Sequence, residues 1–316
     1  MPSNYQFAGD GITDDSPAMQ AALDSIYADG GGSGVVAIPD GVTRLSSLAY
    51  KNFDEGQSKR NGNLLFQGSG ERSRVLLTDI GPDGALHIDN ANTVVFRDLF
   101  FEGATENGNS TPDRDFVAKA LQFGSVNRVI FENCVLAGLG SDALGPRTGV
   151  VVISDGILTL DRCDIGGSTV PFGGVFSLDR CYGLNVNECR FIDYYQAHGN
   201  MYNKLTMYGA AKSWIKESDP LTGPRNAMQT AHSITNCIID EGCTGAALDL
   251  AGGRELVMRN NTHNGGLYFG DAKALKATGF RKVTIENYWI GYRDGDHWES
   301  MEFADCGCVE LNNVEH

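Results

Sequence analysis

The chain contains no apolar run approaching the ~18 residues that a membrane span requires, and no basic start leading into an apolar stretch. Neither a spanning helix nor a secretory leader is read from it. Positive charge is scarce. Twenty-five Lys and Arg stand against 40 Asp and Glu, a formal charge of −15, which argues against nucleic acid or an anionic membrane as a partner. A disulfide framework is also a poor reading of the 8 cysteines, because such frameworks belong to chains of under about 100 residues and this one has 316. What is present points elsewhere. Hydrophobic residues make up 41%, enough to bury a core and to exclude wholesale disorder. The 40 glycines are roughly twice the average share and imply many turns.

Residues 9–15 read GDGITDD and lead into SPAMQAALDSIYADGGG. Ser16 suits an N-cap and Pro17 the first helical position, where no N–H is needed. Met19, Ala22, Leu23 and Ile26 then form one apolar stripe at helical spacing. The glycine run stops the helix, and Val35 to Ile38 read as a strand ending at Pro39. The expected role is a short amphipathic helix covering the open end of a sheet stack. Asp10, Asp14 and Asp15 are read as turn-forming and N–H-capping residues rather than as a metal cluster.

This block, with AIPDGVTRLSS and LLFQGSGERSRVLL after it, resembles the opening of the pectate-lyase-like superfamily of parallel β-helix proteins, which includes phage tailspike depolymerases. The resemblance covers roughly the first 77 residues. It implies a right-handed, single-stranded parallel β-helix behind an N-terminal capping helix, in an all-β chain. It specifies fold more than reaction.

From residue 94 one phrase recurs, with apolar residues alternating before a small residue or Cys: VVFRDLFF, VIFENCVL, LTLDRCDI, LNVNECRF, SITNCII, LVMRNNTH, VTIENYWI and VELNNVEH. Periods of 20–50 residues built of strands signal a solenoid. The anchors are Leu99, Cys134, Cys163, Cys189, Cys237, Asn261, Tyr288 and Val314; the gap of 48 before Cys237 reads as two periods, with a degenerate repeat at Ser213. Nine coils are therefore expected from residue 94. A second strand precedes each phrase, in ALHI, ALQF, VVVI, FSL, ALDL, LYF and SMEF. The expected organisation is one domain over 1–316, with 1–80 as cap and first strands and 81–316 as regular coils. Cys134, Cys163, Cys189 and Cys237 share one position and are read as buried free thiols. Cys306 and Cys308 have metal-compatible spacing but no second pair.

Registered coils turn one sequence position into a row of side chains. Placing Ser213 at an anchor brings Arg190, Asp193, Trp214, Lys216, Glu217, Asp240 and Glu241 onto one face, with Tyr194 and His198 from the following loop. Two carboxylates flanking a glycosidic bond are what polysaccharide hydrolysis needs, and aromatic faces stack on sugar rings. The candidate catalytic residues are Glu217 and Glu241, then Asp193, Asp240 and His198. Arg190, Tyr194, Trp214, Lys216, Trp289 and Tyr292 are candidate substrate-binding residues. Asp249 and Glu302 on the second strand, and the acidic, aromatic loop 291–300, are further candidates. The phrase NCVLAGLGSDAL resembles the polygalacturonase NCxIxxGDD, with Asp142 matching and Ser141 replacing the first Asp; His198–Gly199 matches part of GHG, and an RIK counterpart is missing.

The favoured function is an endo-acting polysaccharide depolymerase of glycosidase type, extracellular or virion-associated, without a cofactor. A uronate lyase or epimerase is the second chemistry, for which Ca²⁺ would offset the negative field. A non-catalytic, glycan-binding or structural virion protein is the third reading. The chain stops at a strand of the last coil, so a homo-oligomer, a trimer in tailspikes, or a further domain is expected over that end.

Overall fold

The computed structural model describes residues 5–28, 32–53, 62–77, 84–103, 120–137, 149–166, 174–192, 213–219, 231–240, 246–264, 273–291 and 301–315. They form one sheet of parallel strands wound into a β-helix with a single α-helix, Ser16–Ala28. Each coil contributes to three columns. Column A runs through Gly34–Ala37, Asn63–Gln67, Thr93–Arg97, Arg128–Glu132, Ile157–Asp161, Gly183–Asn187 and Ala231–Thr235, then 255–259, 282–286 and 308–312. Column B follows each of these after a tight turn, in Gly41–Leu45, Ser73–Leu77, Phe100–Gly103, Val135–Ala137, Asp164–Gly166, Arg190–Ile192 and Ile238–Asp240. Column C precedes column A, in Ala49–Asn52, Leu86–Asp89, Leu121–Gly124, Gly149–Ser154, Gly174–Asp179, Ser213–Asp219, 246–251, 273–278 and Met301–Ala304.

Period-2 alternation decides what lies inside. In column A, Phe66, Phe96 and Phe131 are register partners pointing inward, and their rings stack at 4.7 and 4.9 Å between centroids. The anchor row behind the A-to-B turn is buried from Leu99 through the four cysteines to Asn261 and Tyr288. All four thiols are free, and Cys134 and Cys163 donate to the carbonyls of Phe96 and Phe131 at 3.4 Å. Asn261 continues the row with an amide that accepts from the Cys237 N–H and donates to the Ile234 carbonyl, both at 2.9 Å.

The A-to-B turn requires a left-handed residue in every coil, and Asp98, Asn133, Asn236, Asn260, Asn287 and Asn313 are among those that supply it. Short amide and carboxylate side chains tolerate that conformation best outside glycine. Their amides then bond from rung to rung, Asn260 to Asn236, Asn287 to Asn260 and Asn313 to Asn287, at 3.0–3.1 Å. The helix covers the N-terminal end through Met19, Ala22 and Leu23. Asp10, Asp14 and Asp15 act as expected. Asp10 accepts from the Ile12 and Thr13 N–H groups, Asp15 from that of Ala8, and Asp14 from Ser16 and Ser46. Although burial opposes it, these bonds hold the Asp14 carboxyl at about 2.

Three expectations are corrected. Ser213–Asp219 pairs with Gly174–Asp179 and with 248–249, so it is a column C strand and not a degenerate repeat. Residues 183–187 pair directly with 231–235, so the gap of 48 is one coil with a long excursion, and eight coils follow residue 94. The regular stack also starts earlier, since column A already includes Gly34–Ala37. LYF, at 267–269, lies outside the described residues, and the column C strand of that coil is 273–278.

Thiol labelling read by mass spectrometry checks the packing. Cys308, which is exposed, reacts in the native protein, whereas Cys134, Cys163, Cys189 and Cys237 react only after denaturation.

Candidate functional site

The corners of the coil are unequal. From the third coil onward the chain spends two residues between columns A and B, such as 98–99, and between C and A it spends two or three, such as 90–92, except at 53–62 and 220–230. The B-to-C connections vary from 46–48 to 193–212. In repeat architectures such insertions map to one face, often the binding face. The outward side of column C adjoins that corner.

Register builds two rows on this outward side. One reads Tyr50, His87, Gln122, Val152, Ser177, Lys216, Asp249, Lys276 and Glu302. The other reads Asn52, Asp89, Gly124, Ser154 and Asp179. At the N-terminal end, His87 Nε2 lies 3.0 Å from Asp89 Oδ1, the Tyr50 hydroxyl donates to Asp89 at 3.3 Å, and the Tyr50 and His87 rings meet edge to face. At the C-terminal end charges alternate, and Glu302 is held by Lys273 and Lys276. The Lys273 hydrogen bond, first among the causes, lowers the Glu302 carboxyl below its ordinary value. In the middle, Asp179 sits at an outward position yet is only 1% exposed. Its register partner on the next rung is Asp219, across a bulge in the second strand.

The expected face is not assembled as the sequence suggested. Glu217 occupies an inward position, opposite Leu178, and is buried. Its Oε1 meets His232 Nε2 at 2.9 Å and its Oε2 accepts the Ala251 N–H at 2.6 Å. It is therefore an internal hydrogen-bonding group and not half of a surface pair with Glu241. Lys216 does face outward, but on column C beside Ser177 and Asp249. Arg190 lies on column B, exposed, 3.8 Å from Asp164. Trp214 and Asp240 belong to columns C and B respectively, by backbone register. Trp289 is exposed on column B, its ring folded over Gly291. Asp193, Tyr194, His198, Glu241 and Tyr292, together with Asp142 and most of the loop 291–300, lie outside the described residues.

No family model and no curated protein sequence matches the chain. Solved structures do. Two structures of PfbA, a surface adhesin of Streptococcus pneumoniae, superpose with TM-scores of 0.54 and 0.56 at 13% and 12% identity. They cover 99% and 98% of this chain, which spans 96% and 88% of theirs. An alginate lyase from a Paenibacillus species gives a TM-score of 0.46 at 15% identity, covering 95% of this chain and 97% of its own. The chain has a parallel β-helix fold, which it shares with PfbA. At these identities the likeness is one of fold.

Within that β-helix, sequence reasoning missed His87, Asp89, Asp179 and Asp219. The signal was present in ALHID and VFSLD, where alternation sends the residues between buried apolar ones outward. The β-helix interior also holds His263, whose ring nitrogens have no partner among the described residues. Burial lowers His263 from 6.5 to about 4.

Two outcomes follow. Glu217→Ala leaves His232 Nε2 and the Ala251 N–H without their buried partner and costs about 1–3 kcal/mol in urea unfolding. In the unfolded chain His263 takes up its proton near 6.5, but in the fold only near 4, so stability falls as pH drops across that interval. The slope from this group reaches roughly 1.4 kcal/mol per pH unit, and His263→Leu removes it from urea unfolding measured across the same range.

Proposed function

We propose that this chain is a carbohydrate-active β-helix protein that lays an extended polysaccharide along the outward side of column C and hydrolyses it between paired carboxylates. The observation that carries the proposal is the water-shielded carboxylate of Asp179 at an outward position of column C, with Asp219 as its backbone register partner on the next rung. Neighbouring rungs stand about 4.8 Å apart, on the scale of the ~5–5.5 Å that separates the carboxyl groups of retaining glycosidases. Asp179 is shielded from water, as a group that must exclude bulk solvent from a glycosidic bond would be. Lys216 and Lys276, on the adjoining row, supply cations for acidic substituents. Asp193, Tyr194, His198 and Glu241 belong by chain position to the B-to-C connections and enter the proposal as contributors from that corner, as does Tyr292. An extracellular or virion-associated setting goes with such a substrate.

A second reading keeps the polymer and drops the chemistry. PfbA, which shares the fold, is described as a surface adhesin, and the same rows would bind a glycan without cutting it.

Digestion of a panel of capsular, exopolysaccharide and uronate polymers, with and without Ca²⁺, tests the proposal. New reducing ends without the ultraviolet absorbance of an unsaturated uronate are expected. Asp179→Asn and Asp219→Asn should each slow release by about 10²–10⁴-fold with unchanged melting. Full activity in both variants, or absorbing products, would overturn the carboxylate mechanism, and binding without products would leave the adhesin.

A further inference from the structure

A different corner of the coil carries a second feature. Where column C turns into column A, Asn92, Thr93, Asn127, Arg128, Ile157 and Tyr182 line an open depression of about 590 Å³. Its origin is one missing side chain. The row just before column A holds Asn92 and Asn127, then Gly156, then Tyr182. Asn127 donates to Asn92 at 3.0 Å and Asn92 to Asn63 at 2.8 Å, so the amides form a fixed edge. At Gly156 a Cβ would lie 2.3 Å from the Val126 carbonyl oxygen. The gap is therefore imposed by the backbone and cannot be filled at that position. Ile157 forms its apolar floor, and Gly183, the next residue in Ile157's row, leaves the space beside Tyr182 open.

We infer that this depression is a binding site for an oligosaccharide bearing a carboxylate, separate from the column C face. The chemistry of the lining selects that class. Tyr182 offers an aromatic face beside an aliphatic floor, which suits the C–H face of a pyranose ring. The Asn92–Asn127 edge and Thr93 offer donors and acceptors for hydroxyls. Arg128 supplies a planar cation that pairs carboxylates in a two-pronged fashion. It has no ion-pair partner among the described residues, and the nearest carboxylate along the turn, Asp155, is already held by Arg180 at 2.7 Å. Arg128 and Tyr182 stand two rungs apart, about 9–10 Å, which leaves room for linked sugar rings between them. In a chain of net charge −15, a guanidinium with no ion-pair partner among the described residues, set in a concave polar site, is a selective device for an acidic group.

The test is of binding and is independent of any cleavage. Cellotetraose and its C6-carboxyl counterpart differ only at C6, a hydroxymethyl group in one and a carboxylate in the other, and their affinities for the full chain are read by calorimetry and saturation-transfer NMR. The carboxylated tetrasaccharide is expected to bind more tightly. Tyr182→Ala should weaken it by about tenfold, and Arg128→Gln should bring the two ligands to equal affinity. Absence of binding by either tetrasaccharide, or unchanged binding in Tyr182→Ala and Arg128→Gln proteins of unchanged melting temperature, would overturn the site.

Discussion

Register is the constraint on which everything else in this molecule depends. Parallel hydrogen bonding fixes each rung against the last at one spacing, and a slip of a single residue would turn every inward side chain outward. The phenylalanine stack of column A, the thiol row and the asparagine ladder each lock that register at a different radius. Because the lock is repeated, surface chemistry is inherited rather than individually built: an outward residue finds its neighbours simply by position along the coil. The Asp179–Asp219 pair and the alternating row from Lys216 to Glu302 both arise in this way.

The interior of the later coils departs from the hydrocarbon rule. His232, Glu217, Asn261, His263 and Tyr288 all occupy inward or anchor positions where earlier coils place aliphatic, aromatic or thiol groups. Glu217 and His232 answer one another, and Asn261 satisfies two backbone groups. Buried polar groups paired in this manner favour one arrangement over its neighbours more than they add stability, because any shift leaves a charge or amide unpaired in a low-dielectric interior.

Those same residues explain where sequence reasoning worked and where it stopped. The capping helix, the parallel stack and the buried thiols were legible because alternation, spacing and turn chemistry all agree in VVFRDL, VIFENC and LTLDRC. Ser213–Asp219 was not. Ile215 is its one inward apolar residue, Glu217 fills an inward place with a carboxylate, and a bulge breaks the alternation before Asp219. A strand with so little periodic signal fits two columns equally well in sequence, and the long gap before Cys237 tipped it to the wrong one. The candidate site inherited that shift: Glu217 moved inside, while Asp179, at the end of the FSL strand one rung earlier, emerged on the outer face.

The unequal corners also bear on how such a protein can change. Two corners are closed by side-chain ladders over most of the stack, and length is added there chiefly at 53–62, 68–72 and 220–230. The corner between columns B and C carries no such ladder among the described residues, and its connections already differ widely in length. Lineages descended from this coil could therefore exchange whole segments at that corner while inheriting the scaffold intact, as an antibody exchanges its loops on a conserved sandwich. Diversification of target would then proceed by grafting at a single edge.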